Sequence, residues 1–244
     1  MKAKIIAHRG FSSRQLENTQ PAFEAADQFG VDGIECDLQM TKDGHLVIYH
    51  DADLNRLAGL PLGIGDCNLG QIQGLTLKQA GFTGTIPTLE DYLDWLQGKD
   101  LLANIEIKSH KQPLNQVEEK VVYLVQAYGL SQRVLISSFD VEILRAVKNL
   151  NPDLNLAYLV DSRNEAMLNR LASLKPDYIH IHQQILNQDR VDFLHRQGYF
   201  INTYTVNSLQ AIDRMLDLGV DGIISDYPDR VADRLAKASI SKLV

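Results

Sequence analysis

Short apolar runs rich in β-branched residues alternate along this 244-residue chain with longer segments of helical periodicity. The runs predicted to be strands are residues 4–8, 33–38, 101–108, 134–138, 155–160, 178–182, 200–205 and 222–225. Alternation of single strands with helices is typical of a parallel sheet covered by helices. Eight strands in about 250 residues match the size at which such a sheet closes. We therefore expect an α/β fold, a TIM (β/α)8 barrel, formed as a single domain by residues 1–244.

A ninth run, residues 46–50, follows the second predicted strand after a short gap. A parallel crossover needs a dozen or more residues, so we expect an antiparallel hairpin that turns at the favoured pair Asp43-Gly44. Folding about this turn brings His50 beside Glu35 and Asp37.

Residues 52–86 contain many glycines and do not have the pattern of a barrel helix. We expect this segment to be a small insertion subdomain after the second strand. In such barrels the connections that follow strands gather at the mouth, where active sites are built.

Three acidic residues stand at the ends of two predicted strands. Glu35 and Asp37 are two positions apart, so both carboxylates face the same side of the strand, and Glu106 and Lys108 repeat this spacing on the next barrel strand. Three carboxylates at one rim form an oxygen-rich cage of the kind that binds Mg²⁺ or Ca²⁺. Taken alone, each of these residues is more often a solvated charge at a strand end with a salt-bridge partner.

Two histidines and an arginine lie near the same predicted rim. His8 and His50 provide an acid and a base for in-line displacement at phosphorus, because the nucleophile loses a proton and the leaving oxygen gains one. We expect His8 to act as the base and His50 as the acid in the first step. The guanidinium of Arg9 matches two phosphoryl oxygens, and Lys108 adds a second positive charge for the phosphate.

Aromatic side chains at other strand ends are candidates for a wall that contacts an apolar part of the ligand, although each taken alone is more often a core residue. These are Phe139, His182 and Tyr204. The remaining histidines are expected to be structural or exposed: His45, His110, His180 and His195.

Composition excludes several classes of protein. The formal charge of -7 argues against a nucleic-acid partner, which would favour clustered lysine and arginine. Two cysteines, Cys36 and Cys67, offer neither a disulfide framework nor zinc-ligand spacing. The chain has no secretory signal pattern and no apolar segment long enough to span a membrane, so we expect a cytoplasmic location.

Several stretches together resemble the glycerophosphodiester phosphodiesterase family, in the family's order. They are His8-Arg9-Gly10, Glu17-Asn18-Thr19, Glu35-Cys36-Asp37, Thr41-Lys42-Asp43-Gly44, His50-Asp51, Ile86-Pro87-Thr88-Leu89-Glu90, Glu106-Ile107-Lys108, Ser138-Phe139, Thr205-Val206-Asn207 and Gly222-Ile223-Ile224-Ser225-Asp226-Tyr227-Pro228. The resemblance covers essentially the whole chain, and residues 52–86 fall where that family carries its insertion.

The resemblance implies hydrolysis of glycerophosphodiesters to glycerol 3-phosphate and an alcohol with a divalent cation. The metal ligands of the family match Glu35, Asp37 and Glu106. The family's acid/base pair matches His8 and His50, and its positions near the phosphate match Arg9 and Lys108. It also implies that the glycerol 2-hydroxyl attacks first, giving a cyclic phosphate that water then opens.

Two other functions stay open at this point. One is a non-catalytic barrel that binds phosphodiesters or phosphorylated metabolites, although binding alone needs no acid/base pair. The other is cleavage of lysophospholipids in the manner of a lysophospholipase D. The residues leave open the leaving alcohol, the choice between Mg²⁺ and Ca²⁺, the cyclic intermediate and the oligomeric state.

Overall fold

The computed structural model describes residues 2–109, 116–162 and 166–241. Its strands are β1 (Lys4–His8), β2 (Gly33–Met40), β3 (Leu46–Ile48), β4 (Leu77–Gln79), β5 (Phe82–Gly84), β6 (Leu102–Ile107), β7 (Val134–Ser138), β8 (Asn155–Val160), β9 (Tyr178–His182), β10 (Phe200–Tyr204) and β11 (Gly222–Ser225). Its α-helices are α1 (Gln20–Phe29), α2 (Asn55–Ala58), α3 (Leu69–Gln73), α4 (Leu89–Leu96), α5 (Gln116–Ala127), α6 (Val141–Leu150), α7 (Ala166–Leu174), α8 (Gln188–Arg196), α9 (Leu209–Leu218) and α10 (Pro228–Ser241). None of the helices in these ranges is long and apolar enough to cross a membrane.

Eight of the described strands close into a parallel barrel. The order β1, β2, β6, β7, β8, β9, β10, β11 returns to β1, while β3 pairs antiparallel with β2 outside this ring. The predicted TIM barrel is therefore confirmed. The predicted strand bounds differ most at the end of β2, which continues to Met40 because the hairpin pairs Met40 with Leu46.

Alternation of side chains along β2 separates a core face from a face that points into the barrel. Cys36 is fully buried in the apolar layer between the barrel and its helices. Glu35 and Asp37 point to the opposite side, because successive side chains on a strand alternate. Strand register pairs His8 with Glu35 and Asp37 with Glu106. The parallel strands thus bring these four ionisable residues to one end of the barrel.

The hairpin of β2 and β3 carries a further residue to the same end. Leu38 pairs with Ile48, and the backbone N–H of Tyr49 donates to the carbonyl oxygen of Asp37 at 2.8 Å. His50 follows Tyr49 directly in the chain and therefore lies beside the part of β2 that carries the carboxylate side chains. The hairpin predicted from the short connection is confirmed.

The connection between β3 and α4 contains α2, α3 and the antiparallel pair β4 and β5. A separate apolar cluster lies beneath it, formed by Leu16, Val47, Tyr49, Leu54, Leu57, Ile64, Cys67, Ile72, Leu77 and Ile86. The bounds of the insertion at residues 52–86 stay a prediction.

Gly10, which follows the predicted phosphate-binding residue, is expected to tolerate no side chain. Its φ is +80°, and a Cβ there would lie 2.6 Å from the backbone carbonyl carbon of Ala22. A side chain at this position would cost free energy twice, once for the left-handed backbone and once for the clash with Ala22. Gly10→Ala is therefore expected to lower the free energy of unfolding by about 2 to 5 kcal/mol. Chemical denaturation measures this change.

Gly219 offers a matched control, since its φ is +75° and a Cβ there meets nothing within 4 Å. Gly219→Ala is expected to cost about 1 to 2 kcal/mol from backbone strain alone. Equal losses in the two variants would show that the close approach to Ala22 does not matter.

Candidate active site

Three buried carboxylates form the centre of the site. Glu35, Asp37 and Glu106 each offer an oxygen atom, and these three atoms lie within 4.8 Å of one another. The side chains come from neighbouring strands, β2 and β6, whose register places Asp37 beside Glu106. The structure thus brings together the three residues that the sequence predicted as metal ligands.

Two cationic side chains contact this acidic cluster. Lys108 Nζ lies 2.8 Å from Asp37 Oδ1 and 2.7 Å from Glu106 Oε1. Arg9 Nε lies 3.2 Å from Asp37 Oδ2, which also accepts a hydrogen bond from Asn18 Nδ2 at 2.7 Å. Although burial alone would raise it, the pKa of Asp37 is lowered by the charges of Lys108 and Arg9. Asp37 is therefore a stable anion at neutral pH.

The other two carboxylates are less well neutralised. Burial, reinforced by Asp37 and Glu106, raises the pKa of Glu35 well above its usual value. Burial also raises the pKa of Glu106 to about 7, against the opposing charge of Lys108. A divalent cation between the three carboxylates would supply the missing positive charge, and carboxylate oxygens are the ligands that Mg²⁺ and Ca²⁺ prefer. The donor set therefore fits such an ion.

His8 is held by an aspartate from the far end of the chain. Its Nδ1 lies 2.6 Å from Asp226 Oδ1, and Asp226 also accepts hydrogen bonds from Ser12 Oγ at 3.1 Å and Asn207 Nδ2 at 2.6 Å. Although burial alone would raise it, the pKa of Asp226 is lowered by its contact with His8. An ionised carboxylate at this distance assigns the proton to Nδ1. Nε2, which lies 3.9 Å from Glu35 Oε2, is then free to accept a proton.

His50 has a parallel arrangement. Its Nδ1 lies 2.7 Å from Asp51 Oδ1, and Asp51 Oδ2 accepts a hydrogen bond from Arg56 Nε at 2.6 Å. Burial lowers the pKa of His50, and the charges of Lys108 and Arg9 act in the same direction. Both predicted acid/base histidines are thus oriented through Nδ1 by an aspartate, and this pairing leaves Nε2 as the ring nitrogen for proton transfer.

Arg9 is fixed by contacts at three of its atoms. Its backbone N–H donates to Glu35 Oε2 at 3.0 Å, its Nη1 donates to Glu17 Oε1 at 2.7 Å, and its Nε faces Asp37. Its backbone is left-handed, with a φ of +57°. The guanidinium that the sequence predicted to bind phosphate is therefore already oriented by carboxylates of the protein.

The three aromatic candidates form one group of rings at the ends of β7, β9 and β10. The ring centroids of Phe139 and Tyr204 are 6.2 Å apart, and those of His182 and Tyr204 are 5.8 Å apart, both in edge-on arrangements. Within the described ranges the buried Tyr204 hydroxyl has no hydrogen-bond partner. Their contact with a ligand stays a prediction.

An open cavity of about 510 Å³ lies beside His8 and Arg9. Its lining includes Phe82 of the β4–β5 hairpin together with Asn207 and Tyr227. The mouth of the barrel therefore has room for a small ligand next to the predicted base.

Other predicted histidine roles can be compared with the structure. His180 is fully buried and lies 3.0 Å from Asn202 Nδ2, as expected of a structural residue. His45 and His195 are exposed, also as expected. His110 lies outside the described residues.

Sequence reasoning assigned no role to the residues that orient the predicted groups: Glu17, Asn18, Asp51, Arg56, Asn207 and Asp226. Most of them lie in stretches that carry the family resemblance, and that was the available signal. Arg56 lies in none of these stretches, and its contacts become visible only in three dimensions.

The sequence is similar to known proteins over almost its whole length. Residues 8–230 match the model of the Glycerophosphoryl diester phosphodiesterase family. A glycerophosphodiester phosphodiesterase of Caldanaerobacter subterraneus subsp. tengcongensis is 35% identical over 97% of this chain and 99% of that protein. A glycerophosphodiester phosphodiesterase of Bacillus altitudinis is 36% identical over 93% of this chain and 96% of that protein.

The fold is similar to that of a solved phosphodiesterase of Oleispira antarctica, whose structure contains the product sn-glycerol-3-phosphate. The two structures superpose with a TM-score of 0.82 at 27% identity, over 94% of this chain and 95% of that chain. The same barrel therefore carries a phosphodiesterase site in that protein.

Proposed function

Because this chain belongs to the glycerophosphoryl diester phosphodiesterase family and is a phosphoric diester hydrolase, we propose that its acidic cluster and two histidines hydrolyse glycerophosphodiesters with a divalent cation. The products are sn-glycerol 3-phosphate and an alcohol. The observation that carries this proposal is the convergence of two aspartate-oriented imidazoles on three buried carboxylates. A binding protein would have no need of the two imidazoles.

Glu35, Asp37 and Glu106 would hold the cation, either Mg²⁺ or Ca²⁺. When bound, this ion supplies positive charge that polarises the phosphoryl group and favours deprotonation of an attacking hydroxyl. The geometry supports such an ion, because three buried carboxylates lie together and the two cationic side chains in contact with them offset only two negative charges.

Arg9 and Lys108 would bind the remaining charge of the phosphodiester. Lys108 is buried and Arg9 is half-buried. Neither can move far, since Glu17 and Asp37 hold Arg9 while Asp37 and Glu106 hold Lys108. Preorganised charges of this kind stabilise a developing negative charge without reorganisation during the reaction.

Proton transfer would use the two free Nε2 atoms. In the first step His8 Nε2 accepts the proton of the glycerol 2-hydroxyl while its oxygen–phosphorus bond forms, and His50 Nε2 donates a proton to the leaving alcohol oxygen while the old oxygen–phosphorus bond breaks. In the second step water attacks the cyclic phosphate. His50 Nε2 then accepts the proton of the water, and His8 Nε2 returns its proton to the glycerol 2-oxygen as that oxygen–phosphorus bond breaks. The negative charge of the bound phosphodiester favours the protonated form of His50. This offsets the lowering of the His50 pKa by burial.

Phe139, His182 and Tyr204 would form a wall for the carbon skeleton of the substrate. The hydroxyl of Tyr204 supports this role. It has no hydrogen-bond partner among the described residues, and an unpaired buried hydroxyl costs free energy that a hydrogen bond to the ligand would recover. The wall would then bind one end of the diester while the phosphate lies over the acidic cluster.

Asp226→Asn is expected to lower kcat by about 100-fold, with a much smaller change in KM. An amide can no longer accept the Nδ1 proton in the same way as an anion, so the His8 ring loses its fixed tautomer. Steady-state kinetics on a glycerophosphodiester measures both constants.

Asp229→Asn is the matched control for this variant. Asp229 lies nearby in sequence but pairs with Arg14 at 2.8 Å on the surface. Its replacement is expected to leave kcat unchanged, and an equal loss in the two variants would contradict the role of Asp226.

The proposed function is tested with a panel of glycerophosphodiesters that carry glycerol, ethanolamine or choline as the second alcohol. The purified protein is stripped of metal, supplied with Mg²⁺ or Ca²⁺, and assayed for released glycerol 3-phosphate. Release from the panel supports the proposal. Binding without turnover would instead indicate a phosphodiester-binding barrel, and turnover of lysophospholipids alone would indicate a lysophospholipase D-type activity.

A further inference from the structure

Arg56, on the short helix α2, contacts two acidic residues at once. Its Nη1 and Nη2 donate to the two carboxylate oxygens of Glu17 at 2.9 and 2.7 Å. Its Nε donates to Asp51 Oδ2 at 2.6 Å. All three nitrogen atoms of one planar guanidinium are therefore used, on two carboxylates that come from different loops.

Each of these carboxylates also contacts a group of the proposed site. Asp51 Oδ1 lies 2.7 Å from His50 Nδ1, and Glu17 Oε1 accepts from Arg9 Nη1 at 2.7 Å. An unbroken series of short contacts thus joins the proposed acid to the proposed phosphate-binding guanidinium through Arg56. We call His50, Asp51, Arg56, Glu17 and Arg9 the Arg56 network.

Within the Arg56 network, Arg56 is more exposed to solvent than Arg9. The side chain of Arg56 is 37% exposed, whereas the side chain of Arg9 is 16% exposed. A half-exposed ion pair adds little to the stability of a fold, since water competes with both partners. Arg56 can nevertheless orient its partners, because a planar guanidinium that donates through three nitrogens fixes the directions of both carboxylates.

We propose that Arg56 is a positioning residue that holds His50 through Asp51 and Arg9 through Glu17, so that a residue of the segment 52–86 aligns both groups. This inference rests on the proposed function for its kinetic consequences. Its structural consequence, the fixed tautomer of His50, can be measured without turnover.

Arg56→Gln is expected to lower kcat/KM by about 100-fold, because both proton transfer and phosphate binding lose alignment. The loss divides between the two constants: freeing Asp51 lowers kcat, and freeing Glu17 raises KM. A variant damaged only in its stability would lose active protein without this rise in KM. Arg56→Lys is expected to recover only part of the loss, since one ammonium group does not present three donors in a plane.

Arg234→Gln is the matched control. Arg234 also uses two nitrogen atoms on one carboxylate, that of Asp213, in a contact between α10 and α9 remote from the site. The Arg234→Gln variant loses a comparable surface ion pair. Its free energy of unfolding is therefore expected to change as much as that of Arg56→Gln, while its kcat and KM stay unchanged. A kcat/KM of Arg56→Gln within about twofold of Arg234→Gln overturns the proposal.

Coupling with the two carboxylates gives a second kinetic test. Glu17→Gln and Asp51→Asn are each measured alone and in the Arg56→Gln background. If Arg56 acts through them, each added loss is smaller than the loss of the single variant, because its contact is already broken. Losses that simply multiply overturn the proposal.

The deciding measurement is the nitrogen-15 NMR spectrum of the His50 side chain, assigned by its absence in His50→Gln. In the unaltered protein the proton is expected on Nδ1. In Arg56→Gln, and in Arg56→Lys if the first variant does not fold, a mixture of the two tautomers is expected. Retention of the Nδ1–H form overturns the proposal. Absence of turnover in the unaltered protein would reject the proposed function alone, and the spectrum would still decide the role of Arg56.

Discussion

Replacing His8 by glutamine is expected to lower kcat for a glycerophosphodiester by about 10²- to 10⁴-fold, the range attributed to a general acid or base. Asp226 holds the imidazole of His8 through Nδ1, and the other ring nitrogen, Nε2, lies next to the acidic cluster. Glutamine keeps the size and polarity of the side chain but accepts no proton at neutral pH. Initial-rate measurements at saturating substrate give the change.

His195→Gln is the control for this substitution. His195 also pairs with an aspartate, since its Nε2 lies 2.8 Å from Asp221 Oδ2, but Asp221 precedes β11 and is therefore at the opposite end of the barrel. Its replacement is expected to leave kcat unchanged. A His8→Gln variant with the kcat of the unaltered protein would remove His8 from the chemistry.

Removal of divalent cations is expected to lower activity by at least about 100-fold, because the metal contributes several kcal/mol of charge stabilisation in the transition state. The test is an assay after treatment with EDTA, followed by addition of Mg²⁺ or Ca²⁺, which is expected to restore the rate. Full activity in chelator would contradict the metal requirement.

Glu106→Gln separates metal binding from turnover. The change removes one of three carboxylates while preserving the shape of the side chain, so it is expected to weaken cation binding measured by calorimetry. Glu142→Gln is its control, because Glu142 pairs with Arg145 on the surface of α6. Equal cation affinity in both variants would exclude Glu106 as a ligand.

The barrel and the position of its charged rim were predictable because they follow from local periodicity. Alternation of side chains puts Glu35 and Asp37 on one face, and the short connection after β2 forces a hairpin that delivers His50. Parallel strands then bring Glu106 to the same end. These are consequences of spacing, which a sequence displays directly.

The groups that orient the site were not predictable in the same way. Asp226 contacts His8 across nearly the whole chain, and Arg56 reaches Glu17 from a different connection. Such contacts depend on the paths of loops, which have no simple period in sequence. The left-handed backbone of Arg9 is another example, since nothing in its residue type requires a φ of +57°.

One cation is expected between Glu35, Asp37 and Glu106, at the rim where His8 and His50 meet. Crystals soaked in Mn²⁺, with anomalous diffraction measured at the manganese edge, locate such an ion directly. We predict one strong peak within about 2.0 to 2.6 Å of oxygen atoms from all three carboxylates. A principal peak elsewhere, or crystals of metal-activated protein with no peak between these carboxylates, would contradict the account.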